Sequence, residues 1–413
     1  MKNDLNYIIS EVDKSGSVTH KDNYLIKGTK TTAASKVLEN YQAQYTSTVV
    51  DLIEKEGYRT KAKVNLDAWA HGASGENSDF GPTKNPWNPK KTPGGSCSGS
   101  GASVADGYAE YSFGTDTGGS IRLPACFTNT VGLKPTYGSL SRYGIIAMGS
   151  SLDCPSIIST SVEKVKKIYE ACSKEDSKDS NTQLKTREKE KEFNFRESQK
   201  ITIGIPDEYF LEGLDKEVKE VVTKAIDTLK NQGHELVNIS LPHTKYGIAV
   251  YYLVMSTEVS SNLSRYDGVR YGKNRGSFGQ EAERRILLGT FASSSGYSSK
   301  YYEKAAKVRT LIKDDFTKAF KKVDVIMGPV SPTPPFDLGE RVNDPLKMYL
   351  SDVLTVNASL AGIPSLALPC GFTKSDLPIG MQIIGPRWSE EVLFGLGSQY
   401  QKTTDWHTRR PKS

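Results

Sequence analysis

The chain has 413 residues, 37% of them apolar and 25% charged, with 54 Lys+Arg against 48 Asp+Glu for a formal charge of +6. That length supports one large domain or two ordinary ones around a sizeable core, and no stretch approaches the ~20 consecutive apolar residues of a membrane span. The basic residues are scattered and interleaved with acids, as between Lys185 and Lys191, a pattern of solvated surface that argues against direct nucleic-acid binding.

Cys97, Cys126, Cys154, Cys172 and Cys370 show no CxxC spacing, so reduced thiols are expected. Five histidines, none paired at ligand spacing, predict no zinc site. The N-terminal segment reads as neither a signal peptide nor an Arg-rich, acid-poor transit peptide, since Asp4, Glu11 and Asp13 interrupt it.

In chain order, the spacing of Ala34, Val37, Leu38, Tyr41, Val49, Leu52 and Ile53 predicts two helical stretches between Thr31 and Glu56. Residues 62–66 alternate as a short strand, and 70–101 are rich in Gly and Pro and read as loop. A small-residue helix is expected over 102–111, a strand and turn over 127–140, and an amphipathic helix over Val162–Cys172. Residues 173–200 are almost wholly polar and predict an exposed connection or insertion within a single domain. A strand over 201–206, a helix over Lys216–Asn231 and a strand over 234–239 follow. A long helix is expected over 301–320, and strands over 325–327, 365–368 and 380–385. The β–α–β alternation predicts an α/β fold with a mixed, largely parallel sheet covered by helices on both faces.

Two glycine–serine runs carry the chemistry. Gly114-Thr115-Asp116-Thr117-Gly118-Gly119-Ser120-Ile121-Arg122 presents Ser120 on a turn whose backbone can approach a substrate closely and aim N–H groups at an oxyanion. The run Pro93 to Gly101 offers Ser96, Ser98 and Ser100, any of which could relay a proton, and Ser103 follows. Serines in such turns also commonly satisfy backbone groups, so spacing alone does not choose among them. For the base, His71 is the one histidine near a Gly/Ser loop. Lysine is the other option, because a desolvated amine can act as a base, and Lys21 precedes an extended Tyr24-Leu25-Ile26.

Together, Lys21-Asp22-Asn23, the Gly94-Gly95-Ser96 run and Asp116-Thr117-Gly118-Gly119-Ser120-Ile121-Arg122 resemble the signature of the amidase family that uses a Ser–cisSer–Lys triad. The likeness continues through Gly132–Gly138, Ser141–Gly144, Ser150–Asp153, Glu283–Phe291 and Lys307–Ile312. These later motifs are similar to the branch that hydrolyses glutamine within Glu-tRNA(Gln) amidotransferases. The resemblance implies Ser120 as the acyl-forming nucleophile, Ser96 as a relay after a cis peptide, and Lys21 as the base. It also implies an oxyanion hole at Thr117, Gly118 and Gly119. Glutamine would be held by Arg309 at its α-carboxylate and Asp376 at its α-ammonium, with Tyr271 a further pocket residue, while Asp116 and Arg122 brace the turn.

The resemblance implies no cofactor in this chain, with ATP and Mg used by a partner subunit that amidates Glu-tRNA(Gln), and a further small subunit in the complex. The short stretch before Lys21 is similar to fungal mitochondrial members, which implies a mitochondrial matrix protein, with a cytoplasmic one the alternative. His71 departs from the family, whose loop commonly has methionine there. Two rival readings are a stand-alone amidase for small amides and a non-catalytic scaffold subunit.

Overall fold

The computed structural model describes residues 4–182, 195–196, 199–210, 212–269 and 273–412. Its strands are β1 (Ile8–Glu11), β2 (Val18–Lys21), β3 (Thr60–Val64), β4 (Tyr111–Asp116), β5 (Val131–Lys134), β6 (Cys154–Ser159), β7 (Thr202–Pro206), β8 (Glu235–Ile239), β9 (Val325–Pro329), β10 (Ser365–Phe372) and β11 (Pro378–Ile384). Among the described residues they form one sheet in the order β1-β3-β2-β4-β6-β5-β10-β11-β9-β7-β8.

The sheet is mixed, as expected, but parallel pairs do not predominate. The pairs β2–β3, β2–β4, β7–β8 and β7–β9 run parallel, and the other six neighbouring pairs run antiparallel. The short turn 373–377 between β10 and β11 is one reason, since a connection of that length can only join antiparallel neighbours. The β–α–β unit visible in the sequence, β7, the helix Lys216–Asn231 and β8, is parallel.

Alternation along the strands puts helices on both faces. On β9, Val325 and Met327 join a core with the helices Val162–Cys172, Lys216–Asn231 and Glu390–Thr403. Ile326 between them faces the opposite way, into a core shared with the helices Gly247–Asn262 and Tyr302–Ala319. Ile158 and Ala367 likewise join a third cluster under the turn and helix that follow Ser120. Side chains two apart share a face of a strand, and neighbours oppose.

Several boundaries differ from the sequence expectation. Between Thr31 and Glu56 only a short 3-10 turn, Lys36–Leu38, and the helix Thr48–Lys55 form. Ala33 and Ala34 adopt left-handed backbone that ends any earlier helix. The small-residue helix is Ser98–Ala105, so it begins inside the glycine–serine run itself. There Gly99 allows contact that a side chain would block, because an added Cβ would lie 2.6 Å from the Asn65 amide nitrogen. Residues 173–182 are anchored as well as exposed: Lys174, Glu175, Ser177, Lys178 and Ser180 face out, while Asp176 accepts from Ser141 and Thr48 at 2.5 and 2.6 Å, and Asp179 pairs with Arg142. The middle of the polar connection, 183–194, lies outside the described residues.

Candidate active site

β2 and β4 are parallel neighbours in register His20 with Phe113, so their C-terminal ends finish side by side. Ligand sites in such sheets gather at the carboxyl ends of strands. Lys21 is the last residue of β2, and β4 runs out through Asp116 into the turn that carries Ser120. Lys21 is fully buried, and its Nζ donates to Ser96 Oγ at 2.8 Å, Thr115 Oγ1 at 3.0 Å and Cys97 Sγ at 3.1 Å. The amine is therefore held by both glycine–serine runs at once.

The Ser96 and Ser120 runs are joined through the backbone, where the Cys97 N–H donates to the Ser120 carbonyl at 3.1 Å. The Gly95–Ser96 peptide is cis. Both serines are buried, Ser96 completely and Ser120 with 7% of its surface exposed. Burial pushes the neighbouring Cys97 thiol above its ordinary pKa, so it stays protonated. The arrangement can pass a proton from hydroxyl to amine, the step a serine nucleophile requires.

The turn between β4 and the helix Arg122–Thr128 is braced from three sides. The Arg122 guanidinium forms a buried pair with Asp116, contacting both carboxylate oxygens at 3.0 Å, and also reaches Ser359 Oγ and the Thr355 carbonyl. Asp116 in turn accepts from the amides of Ile121 and Arg122. Thr117 donates to Asp153 at 2.8 Å, and Thr355 Oγ1 donates to the Gly118 carbonyl at 2.6 Å. Fixed dipoles of this kind cost no reorganisation when charge develops beside them.

Glycine at 118 and 119 lets other groups come close. A Cβ on Gly118 would lie 2.6 Å from Cζ of Tyr251, and one on Gly119 would meet Thr355 and lie 3.2 Å from Asp352 Oδ1. Asp352 and Tyr251 therefore stand directly against the Ser120 turn. Burial pushes the Asp352 carboxyl up to about 8, only partly offset by the nearby Arg285 guanidinium. Arg285 is itself buried, donates to Glu281 Oε1 at 2.7 Å and lies over the Tyr252 ring; its charge is reinforced above the ordinary guanidinium value by Glu281 despite burial. Arg285, Tyr252, Asp67, His71 and Ser74 line a cavity of about 150 Å³. Asp67 abuts the Ser96 turn, since its amide donates to the Ser96 carbonyl at 3.2 Å.

Of the three sequence-predicted substrate residues, the two that are described are not brought to this cluster. Arg309 is committed elsewhere, with its guanidinium donating to Ser151 Oγ at 2.8 Å, the Ser151 carbonyl at 3.0 Å and the Leu360 carbonyl at 2.8 Å. Asp376 is exposed on the turn between β10 and β11. Tyr271 lies outside the described residues. Of the histidines, His71 lines the cavity, His234 contacts Gln399, and His243 pairs with Asp315.

With this geometry in hand, comparison with known proteins is decisive. The amidase family pattern matches residues 17–394. The chain belongs to the amidase family. Within it, the A subunit of the glutamyl-tRNA(Gln) amidotransferase of Thermodesulfovibrio yellowstonii is 47% identical over 406 residues, 95% of this chain and 84% of that protein. The corresponding protein of Lactococcus lactis subsp. lactis is 46% identical over 416 residues, with 96% and 84% covered. The crystal structure of the A subunit of the Thermotoga maritima glutamyl-tRNA(Gln) amidotransferase superposes with a TM-score of 0.85 at 36% identity, covering 98% of this chain and 89% of that one.

As a member of the amidase family, this chain is an amide-hydrolysing enzyme with an amidase-signature fold. Among the described residues no group of three or more His, Cys, Asp or Glu side chains converges as metal ligands would, and no helix is long and apolar enough to cross a membrane. Sequence reasoning misses Arg285, Asp352 and Tyr251. The signals are faint: Arg285 lies in the motif Glu283–Phe291, and Asp352 sits in Tyr349-Leu350-Ser351-Asp352, a stretch without any glycine run to mark it.

Proposed function

We propose that the chain is the glutaminase subunit of a Glu-tRNA(Gln) amidotransferase, working in the mitochondrial matrix as its sequence resemblance implies. The observation that carries the catalytic reading is the Lys21–Ser96 hydrogen bond at 2.8 Å, beside the braced turn that presents Ser120. Ser120 Oγ attacks the carboxamide carbon of glutamine while its proton passes to Ser96 Oγ, whose own proton passes to the Lys21 amine. The oxyanion is received by the turn 117–120. When the C–N bond breaks, the proton returns through Ser96 to the leaving nitrogen, which departs as ammonia. Water then cleaves the acyl-Ser120 ester by the same relay and releases glutamate.

The presence of buried Arg285 and Asp352 near the Ser120 turn supports an α-amino-acid amide as substrate. A guanidinium matches the α-carboxylate, and a carboxylate matches the α-ammonium. We assign these roles to Arg285 and Asp352 in place of Arg309 and Asp376. The released ammonia would pass to another subunit of a glutamyl-tRNA(Gln) amidotransferase, as the names of the relatives suggest. The family resemblance adds that this partner uses ATP and Mg to activate Glu-tRNA(Gln), with a further small subunit in the complex. Single-turnover assays of the purified chain with its copurifying partners test this. Ammonia release from glutamine and Gln-tRNA(Gln) formation, both lost in Ser120→Ala, are expected; ammonia release by Ser120→Ala at the wild-type rate would sink the reading.

A further inference from the structure

His71 is fully buried, yet among the described residues neither ring nitrogen has a hydrogen-bond partner. Buried imidazoles of that kind are costly unless something else completes them. The backbone holds the ring in place: Trp69 and Ala70 just before it both adopt left-handed conformations, at φ 60° and 63°, and Trp69 is clamped between the rings of Tyr266 and Phe278 at 5.0 and 5.2 Å. Non-glycine residues persist in that region where surrounding structure enforces them. The ring lines the same cavity as Arg285. Burial, Arg285 and Lys21 all disfavour its protonation, so the imidazole is held well below its ordinary pKa and is neutral. A neutral imidazole offers one donor and one acceptor.

We propose that His71 is a specificity-determining residue: its ring N–H donates to the α-carboxylate of the substrate beside Arg285, so that α-amino-acid amides are selected over simple aliphatic amides. This rests on the reading of the substrate given above. Arg285 supplies the charge that any carboxylate would find; His71 supplies direction, through a neutral donor set beside that charge. A simple amide leaves the ring N–H unpaired, and sites with buried polar groups reject ligands that leave them so.

The test compares kcat/KM for L-glutamine and for butyramide, a simple aliphatic amide without the α-substituents, using the full chain with its copurifying partners. In His71→Leu the KM for glutamine is expected to rise about tenfold and the glutamine-to-butyramide ratio of kcat/KM to fall about tenfold. His71→Gln, which keeps a donor and an acceptor, retains most of the ratio. Should His71→Leu not fold, His71→Phe carries the same expectation. An unchanged ratio in the apolar variant, with glutamine still hydrolysed, overturns this inference alone, as does an equal fall in His71→Gln. Wild-type enzyme that hydrolyses butyramide and never glutamine overturns the substrate reading and this inference with it.

Discussion

The amine of Lys21, at the end of β2, donates to the hydroxyl of Ser96 at 2.8 Å across 75 residues of chain. The contact exists because β2 and β4 are parallel neighbours, and the helix Ser98–Ala105 packs small residues tightly enough to bring the Ser96 turn onto their ends. The Lys21 amine touches two hydroxyls and a thiol, the placement that a proton relay from serine needs. Lys21→Met should therefore lower kcat for glutamine hydrolysis by about 10²–10⁴, the usual worth of a general base. Ser96→Ala should fall in the same range, and Lys21→Met/Ser96→Ala no further than the worse single change, because the two act as one relay. Steady-state ammonia assays across the cycle decide it; fully additive losses would separate the two residues.

Removing one partner of the Asp116–Arg122 pair should unfold more than it inactivates. Both side chains are fully buried, and an ion left alone in such a place costs about 3–5 kcal/mol. Arg122→Met is expected to shift the urea midpoint down strongly. A variant with wild-type stability would mean that Asp116 finds another partner or a proton.

Asp352 gives a pH signature. Burial pushes its carboxyl up to about 8, far above the ordinary carboxylate range. The folded state thus binds this proton more tightly than the unfolded chain, so the contribution to stability is complete below the unfolded value and is lost as pH rises through about 8. Asp352→Asn should raise Tm relative to wild type at about pH 9 and gain nothing at about pH 4. In the wild type, the KM for glutamine should rise as pH falls below about 8, because the protonated acid no longer attracts an ammonium group. Tm and KM measured over that range in both proteins check the two halves separately.

Arg285 and Arg309 should part company. Arg309 holds Ser151 and the Leu360 carbonyl, so Arg309→Met is expected to lower stability by about 1–3 kcal/mol. Arg285→Met should instead raise the KM for glutamine at least about tenfold, the loss of a charge-assisted contact. Denaturation curves and kinetics on both variants distinguish them; a larger KM effect from Arg309→Met would return that residue to the substrate.

How much of this is legible in the sequence follows from range. Lys21, Ser96 and Ser120 are marked by short glycine-rich motifs, and Asp116 and Arg122 flank the turn they brace, so local sequence carries them. Arg285, Asp352 and Tyr251 come from three separate elements and meet only through tertiary packing. Tyr251 lies on the helix Gly247–Asn262, which is apolar nearly all round, with Val250, Tyr251, Tyr252, Val254 and Met255 all buried. No stripe marks such a helix, so periodicity does not reveal it. The amphipathic helices Val162–Cys172 and Lys216–Asn231 are legible to the residue because each buries one face. A largely parallel sheet is too much to infer from a single β–α–β unit; strand order depends on contacts that no local pattern records.

A glycine tests the close packing at the turn. A Cβ at 118 would press on the Tyr251 ring, so Gly118→Ala should cut kcat about a hundredfold or more by displacing the oxyanion turn or the tyrosine, the usual cost of a lost oxyanion donor. Gly118→Ala combined with Tyr251→Leu should recover part of the loss if the clash is the cause. No recovery would locate the defect in the turn itself.

The most direct test is covalent. The chain with its partners is mixed with L-glutamine, quenched in acid within one turnover, digested and analysed by peptide mass spectrometry. The predicted result is a γ-glutamyl ester on the peptide containing Ser120, absent from Ser120→Ala. A γ-glutamyl group on Ser96 or Cys97, with Ser120 unmodified while ammonia is released, would contradict the account.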